Sequence, residues 1–285
     1  MARHKRTKKE MNCEDKTKII IPGMSVFNNG FFHEWLSRSN ARINVALFYK
    51  KVLRWYGDGS NLVLRKDFSR NDKKDYKKDH LEFIVNLSKK SLKNYENIKK
   101  RYYFNGLDTF VLTSKTRLLV GFAGGDTVLE NSISLHPYYG FPVIPGSSLK
   151  GLTRHYCDEF EDMDKNMVLR IFGNESGDKD AREGEVIFMD SWPEEWPAKG
   201  FLELDVMSPH FTGYYDKKSF PTDSSQPVPI LFLAVRRGVR FRFAVLPSRA
   251  CRDTSIVGLA KCCLEKALKT FGAGAKTGSS YGYFE

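Results

Sequence analysis

The spacing of apolar residues divides the chain into a helical N-terminal part and a C-terminal part that is rich in strands. Two amphipathic stripes predict helices at about 31–56 and 80–101. The segment 65–79 between them carries dense mixed charge, so an exposed loop or a solvated helix is expected there. The apolar positions of the two stripes are Ile43, Ala46, Leu47 and Leu53, and then Leu81, Ile84, Val85 and Leu92.

From about residue 110 the pattern changes to short strands separated by turns, with two helices among them. Val239–Val245 alternates between apolar and polar positions, whereas Val228–Val235 is a continuous apolar run that predicts a buried strand. Helices are predicted at 147–160 and 254–271, each with an apolar stripe. The other predicted strands are 116–122, 141–144, 184–190, 201–207 and 281–284.

This order of elements predicts an α+β fold. A strand, a helix, several strands, a helix and a final strand match a ferredoxin-like (RRM-like, split βαβ) core with insertions. We therefore expect three regions: a disordered basic tail at 1–18, a mostly helical extension at 19–109, and a ferredoxin-like domain at 110–285. Such a sheet is compatible with RNA binding but does not imply it.

The net charge of the chain limits its possible binding partners more than its fold class does. The 285 residues include 46 Lys and Arg against 34 Asp and Glu, a net charge of +12, and 13% are aromatic. Basic proteins with many aromatic side chains favour nucleic acid as the partner, with acidic protein partners as the alternative. No apolar run approaches 18 residues and no apolar stretch follows the basic N-terminus, so neither a membrane span nor a secretory signal is expected.

The five cysteines indicate a reducing compartment. Their number is odd and they form no Cys-x-x-Cys pair, which argues against a disulfide framework or a zinc site. We interpret them as small apolar packing residues of a cytoplasmic protein, and we expect no cofactor.

The most informative motif is the C-terminal loop from Gly272 to Gly282, with the sequence GAGAKTGSSYG. Glycines allow close approach of backbone N–H groups, and lysine and hydroxyl side chains bind phosphate oxygens. A nucleotide P-loop is excluded, because Ala275 precedes the lysine and this loop follows a helix rather than a strand. The alternative, a helix cap followed by a turn, explains Gly272 alone. The candidate phosphate-binding residues are Gly272, Gly274, Lys276, Thr277 and Gly278.

A second motif, IPGSSLKG at 144–151, begins the helix predicted at 147–160. Ser147 and Ser148 lie where a helix N-terminus favours an anion, and Lys150 and Arg154 lie one turn apart on the same face. Gly151 costs a helix about 1 kcal/mol relative to alanine, which suggests that a backbone approaches it closely. The alternative is an ordinary serine-capped helix. If both motifs bind one strand, Lys276 and Lys150 should face a single groove.

Together, FPVIPGSSLKG after a strand and the C-terminal GAGAKTGSSYG resemble the RAMP superfamily of CRISPR systems, most closely the sixth-subunit branch of type III-B (Cmr-type) effector complexes. VGFAGGDTVLENSISLHPYYG, GEVIFMDSWP, LELDVMSPHF and the N-terminal NVALFYKK support the match, which covers roughly 40–285. The lysine-rich segment at 65–79 has no counterpart.

The resemblance implies a non-enzymatic backbone subunit that contacts CRISPR RNA toward its 3′ part. Implied protein partners are a neighbouring backbone RAMP subunit, the small subunit and the terminal RAMP subunit, with target RNA contacted indirectly. The glycine-rich loop and the IPGSSLKG helix would face the RNA.

Two enzymatic alternatives stay open. His155, beside Arg154, is the best candidate for acid–base cleavage of precursor RNA, and Asp126 resembles a metal-dependent target-cleaving aspartate.

Overall fold

The computed structural model confirms a mixed α+β fold whose strands pair antiparallel. In the described part, no helix has the length and apolar character needed to cross a membrane. The described residues are 17–20 and 53–56 for the backbone, and 78, 81–82, 84–89, 92, 94–103, 107–122, 133–161, 163–174, 181–208, 220 and 229–285.

The central sheet is organised around its longest strand, β8 (Arg240–Pro247). Strand β3 (Thr109–Thr113) pairs with one edge of β8, and β4 (Val186–Phe188) and β5 (Trp192–Pro193) pair with the other. A separate antiparallel pair joins β6 (Leu202–Met207) to β7 (Ile230–Val235). The N-terminal strands β1 (Thr17–Ile20) and β2 (Leu53–Tyr56) form a third sheet.

The α-helices whose bounds lie within the described residues are α1 (Tyr95–Tyr102), α2 (Gly146–Phe160), α3 (Lys165–Phe172) and α4 (Ser255–Thr270). Helices α2 and α4 pack on each other, with the thiols of Cys157 and Cys263 in contact between them. The apolar face of α4 is buried against the sheet, as its stripe predicted. Because α4 is fixed in this way, the start of the C-terminal loop is fixed as well.

The alternation along β8 separates an apolar face from a charged one. Phe241 and Phe243 are fully buried on the side of α4, and Phe243 stacks on Phe110 of β3. On the other face, Arg242 donates two hydrogen bonds of 2.6 Å to the carboxylate of Glu194. Burial opposes ionisation of Glu194, but the hydrogen bonds from Arg242 and the charge of Lys99 outweigh it and hold the pKa of Glu194 below its usual range.

Several predicted elements differ in the structure. Leu53–Tyr56 is a strand rather than the end of a helix, and its partner strand begins at Thr17, inside the predicted tail. The helix predicted at 80–101 is broken near Asn94: residues 84–88 are helical and α1 follows. Much of 19–109 lies outside the described residues.

The predicted strand at 116–122 is absent, because its backbone groups bond to several different segments instead of one neighbour. Leu118 forms a single bridge to Val235, and Gly121 ends the segment with φ +62°. The predicted terminal strand is likewise a single bridge, from Phe284 to Ser114, which closes the edge of the sheet beside β3.

We expect Phe243→Ala to lower the free energy of unfolding by about 3–5 kcal/mol, because it leaves a cavity in the main core. Phe220→Ala is the matched control: this ring is 87% exposed, so its loss should change stability by less than about 0.5 kcal/mol. Urea unfolding followed by circular dichroism measures both. Similar losses in the two variants would contradict the assignment of β8 to the core.

Candidate nucleic-acid interface

The C-terminal loop is held to the body of the protein at both ends and in its middle. The Ala273 N–H donates to the Gly282 carbonyl (2.8 Å), which closes the base of the loop. The Ala275 N–H donates to the Leu119 carbonyl (2.7 Å), and the Gly282 N–H donates to the Arg117 carbonyl (2.6 Å). The loop is therefore a fixed structure before any ligand binds.

Three of the four loop glycines have architectural roles. A Cβ on Gly272 would lie 2.8 Å from the Gly282 carbonyl oxygen, and one on Gly274 would lie 2.5 Å from that of Leu119. Gly282 is equally tightly packed against Ala273, and all three have positive φ. Only Gly278 faces open space, so the glycine content of the loop mainly reflects packing and a turn rather than ligand contact.

Lys276 stands at the exposed tip of the loop in a left-handed conformation, with φ +61°. A non-glycine residue there costs roughly 1–2 kcal/mol, and such strain persists where the surrounding structure enforces it. Its ammonium lies 5.7 Å from the ring centroid of Phe122, and no carboxylate among the described residues pairs with it. Thr277 begins a short 3₁₀ turn that ends at Ser279. The lysine charge is thus positioned and unneutralised within the described part of the chain.

The far end of the loop is anchored by a buried polar contact. The Tyr281 hydroxyl donates to Asp205 (2.6 Å), which also accepts from Arg117 at 3.1 Å. Burial, together with the hydrogen bond to Asp205, raises the pKa of Tyr281 to about 12. The phenol therefore stays protonated and keeps this anchor at all physiological pH values.

The N-terminus of α2 is not the ordinary serine-capped end that the sequence left open as an alternative. Pro145 is the N-cap and makes no side-chain cap hydrogen bond, while the Gly146 N–H donates to the Asp190 carboxylate (2.7 Å). Ser147 and Ser148 are exposed, and their hydroxyls form no hydrogen bond with other described residues. The carboxylate already occupies the first helix donor, so an anion here would bind the two serines and Lys150 rather than the whole helix end.

The face of α2 that carries Lys150, Gly151 and Arg154 is basic, and no described residue covers Gly151. Arg154 is exposed, Lys150 is half-buried, and neither pairs with an acidic residue of the described chain. A Cβ on Gly151 would meet nothing within 4 Å, so no intramolecular contact requires glycine at this helical position. His155 is stacked on Phe271, with ring centroids 4.7 Å apart.

Short steps of backbone pairing connect the two motifs. Ala275 bonds to Leu119; next to it, the Ser134 N–H donates to Val120 (2.6 Å), and the Val143 N–H donates to Ser134 (3.4 Å). At about 4.8 Å per pairing, and with the 3.8 Å step from Leu119 to Val120, these contacts keep Ala275 within about 18 Å of the segment that enters α2.

The C-terminal loop begins beside the second half of α2, not beside its N-terminus. The ring of Phe271 packs against His155, Tyr156 and Phe160 in the second half of the helix. His155 follows Ser148 by seven residues, about 10 Å of helix. The loop then turns toward Leu119, and the expectation that Lys276 and Lys150 share one groove stays a prediction.

Sequence reasoning missed the two residues that fix these motifs, Asp190 and Leu119. Asp190 precedes β5 and is 44 positions from Gly146, so no local signal relates it to α2. Among the enzymatic candidates, Asp126 lies outside the described residues. Within the described part, no three His, Cys, Asp or Glu side chains cluster as metal ligands would.

Comparison with known proteins identifies the family. The sequence model of the RAMP superfamily matches residues 111–285, more than half of the chain. This chain belongs to the RAMP superfamily. The CRISPR system Cmr subunit Cmr6 of Pyrococcus furiosus is 32% identical to this RAMP protein over 262 residues, covering 71% of the chain and 76% of the relative.

Further relatives agree with that family. Cmr6 of Saccharolobus solfataricus is 32% identical over 199 residues, covering 69% of the chain and 63% of the relative's own length. A chain of a type III-B Cmr-beta structure bound to cognate target RNA superposes with a TM-score of 0.57 at 24% identity, covering 79% of this RAMP protein and 77% of that chain. This last likeness concerns the fold.

We expect Gly274→Ala to lower the free energy of unfolding by at least about 1–2 kcal/mol, because a Cβ there would strain positive φ and collide with Leu119. Gly278→Ala is the matched control in the same loop and should change stability by less than about 0.5 kcal/mol, since its Cβ would enter open space. Chemical unfolding of both variants distinguishes them. Equal stabilities would show that the loop is not held at Leu119.

Proposed function

We propose that this RAMP protein is a structural, non-catalytic, RNA-binding subunit of a type III-B CRISPR ribonucleoprotein effector complex. In this role it holds the backbone of the guide RNA toward its 3′ part for antiviral defence. The observation that carries the proposal is Lys276, which has no carboxylate partner among the described residues and stands on a loop whose backbone is fixed by hydrogen bonds to the body. The Cmr6 relatives supply the complex in which such a subunit would act.

The chemistry of both motifs favours the sugar–phosphate backbone over the bases. Lys150 and Lys276 offer point charges, and Ser147, Ser148 and Thr277 offer hydroxyl groups. Such groups position a strand without reading its sequence, because sequence is read through base edges. A guide-holding subunit must accept every guide sequence, and these donors suit that task.

The open face at Gly151 supports the same proposal. Glycine inside a helix costs about 1 kcal/mol relative to alanine, yet no contact with a described residue requires it at position 151. A strand passing closely over α2 would explain why a side chain is absent. Arg154, one turn beyond Lys150, would extend the basic track.

The proposal also includes the topology of the core. We infer a ferredoxin-like core from the antiparallel sheet around β8 and from α2 and α4 packed together. The proposed partners are CRISPR RNA, a neighbouring backbone RAMP subunit, the small subunit and the terminal RAMP subunit, with target RNA contacted indirectly. The cytoplasm is the proposed location.

We expect Lys276→Ala and Lys150→Ala each to weaken binding of single-stranded RNA equally for all sequences. Each change removes one phosphate contact, so the slope of log affinity against log salt should fall by about 0.7 in magnitude. Fluorescence anisotropy with several unrelated RNA sequences at a series of salt concentrations measures both effects. Lys165→Ala removes an exposed lysine elsewhere and is the control. A loss confined to some sequences would contradict a backbone-binding role.

The runner-up function is a CRISPR-associated endoribonuclease that processes precursor RNA or cleaves target RNA. We expect the purified chain neither to cleave RNA nor to hydrolyse ATP, because the His155 ring is stacked on Phe271 and has no acid–base partner among the described residues. Incubation with labelled RNA, with and without divalent metal, tests this. Cleavage abolished in His155→Ala would establish processing activity, and metal-dependent cleavage abolished in Asp126→Ala would establish target cleavage.

A further inference from the structure

A second basic site lies beside the C-terminal loop. A cleft of about 880 Å³ opens between the turn after β3, the turn before β6 and the turn that joins β7 to β8. Ser279, Ser280 and Tyr281 of the loop form its remaining wall. It is separate from the α2 motif and contains none of the residues that the sequence singled out as candidates.

The cleft concentrates positive charge. Two of its arginines are held in place by a shared carboxylate: Arg117 and Arg236 both pair with Glu203, the latter at 3.2 Å. Three further cations have no ion pair within the described chain. Five cations therefore face one lining carboxylate: Lys115, Arg117, Lys199, Arg236 and Arg237.

One buried donor in this cleft also lacks a partner. The Nε of Arg236 is buried, and no described residue accepts its hydrogen bond. Buried polar groups in native proteins are nearly always paired with protein, water or ligand. This nitrogen is shielded from the cleft and Arg236 is held by Glu203, so the cations left for an external anion are the three that have no ion pair within the described chain.

The lining favours a phosphodiester chain over a protein surface. The lining side chains are mostly ammonium, guanidinium, carboxylate or hydroxyl groups, so there is little of the apolar core that protein interfaces need. The exceptions are Pro197, Ala198, Gly200, Gly238, Val239 and the Tyr281 ring. Ser279 and Ser280 add exposed hydroxyl groups on the loop side. Lysine, arginine and hydroxyl donors are the side chains that contact the phosphate oxygens of nucleic acids.

The cleft is continuous with the proposed RNA-binding loop at Lys276. Ser279 follows Lys276 by one 3₁₀ turn, about 6 Å along its axis, and its N–H donates to the Lys276 carbonyl at 2.9 Å. A strand that leaves Lys276 along this turn enters the cleft directly.

We propose that this cleft is a second phosphate-binding segment for the same RNA strand, in which Lys115, Lys199 and Arg237 contact consecutive phosphates after the strand has passed Lys276. The inference rests on the proposed RNA-binding function of the loop. It adds a path for the strand across the end of the β6–β7 pair, and it assigns Arg117 and Arg236 as positioning residues through Glu203.

The test uses the full-length chain and single-stranded RNAs of increasing length. The cleft variant is Lys115→Ala/Lys199→Ala/Arg237→Ala. Its control, Lys100→Ala/Lys165→Ala/Arg249→Ala, removes the same residue types from exposed positions elsewhere that have no described ion pair. Affinity is measured against salt and RNA length, and thermal unfolding checks that both variants fold.

We expect the cleft variant to lose about 2 units of salt slope, from three contacts at about 0.7 each, while the control keeps the wild-type slope. Affinity should also rise with RNA length in both proteins, but the rise should end at a shorter RNA length in the cleft variant than in the wild type. A wild-type slope in the cleft variant, with a reduced slope in Lys276→Ala, would overturn the cleft and leave the proposed function intact. Failure of the wild-type chain to bind RNA would overturn both. A cleft variant that binds RNA as tightly as the wild type but no longer assembles into the complex would assign the cleft to a protein partner and overturn the proposal.

Discussion

The structure depends on the hydrogen bonding of one buried, irregular segment, residues 117–120. Leu118, Leu119 and Val120 are almost fully buried, so their carbonyl groups must find partners inside the protein. The partners come from three separate regions: Val235 of β7, the C-terminal loop, and Ser134 ahead of α2. Satisfying this backbone therefore brings both glycine-bearing motifs to the same part of the molecule.

That constraint explains how a loop of small residues forms a fixed surface, the one proposed here to bind RNA. Its glycines permit close contact with Leu119 and within the base of the loop, and the remaining exposed groups point away from the body. Lys276 is held in a left-handed conformation without a carboxylate partner in the described chain. A strand that binds there meets donors already ordered, which reduces the entropy cost of association.

Sequence pattern predicted the local elements well where one neighbour decides the structure. The apolar run of β7, the alternation of β8 and the wide stripe of α4 all depend on burial against a single layer. The segment 116–122 was wrongly predicted as a strand, because its distant partners leave no periodic trace. At the start of α2, the first donor is satisfied by the distant Asp190, which also leaves no periodic trace and rules out the serine cap that stood as the alternative. For the site, sequence named the half-buried Lys150 and the exposed Lys276 but could not separate packing glycines such as Gly274 from exposed ones such as Gly278.

The central claim is that this RAMP protein holds a guide RNA by its backbone. The most direct measurement is to purify the full-length chain from its source under native conditions and to sequence the RNA that accompanies it. The account predicts RNA of one defined length with the wild type, and much less RNA per co-purified subunit with Lys150→Ala/Lys276→Ala. Absence of RNA from the wild type, or equal RNA in both preparations, would contradict it.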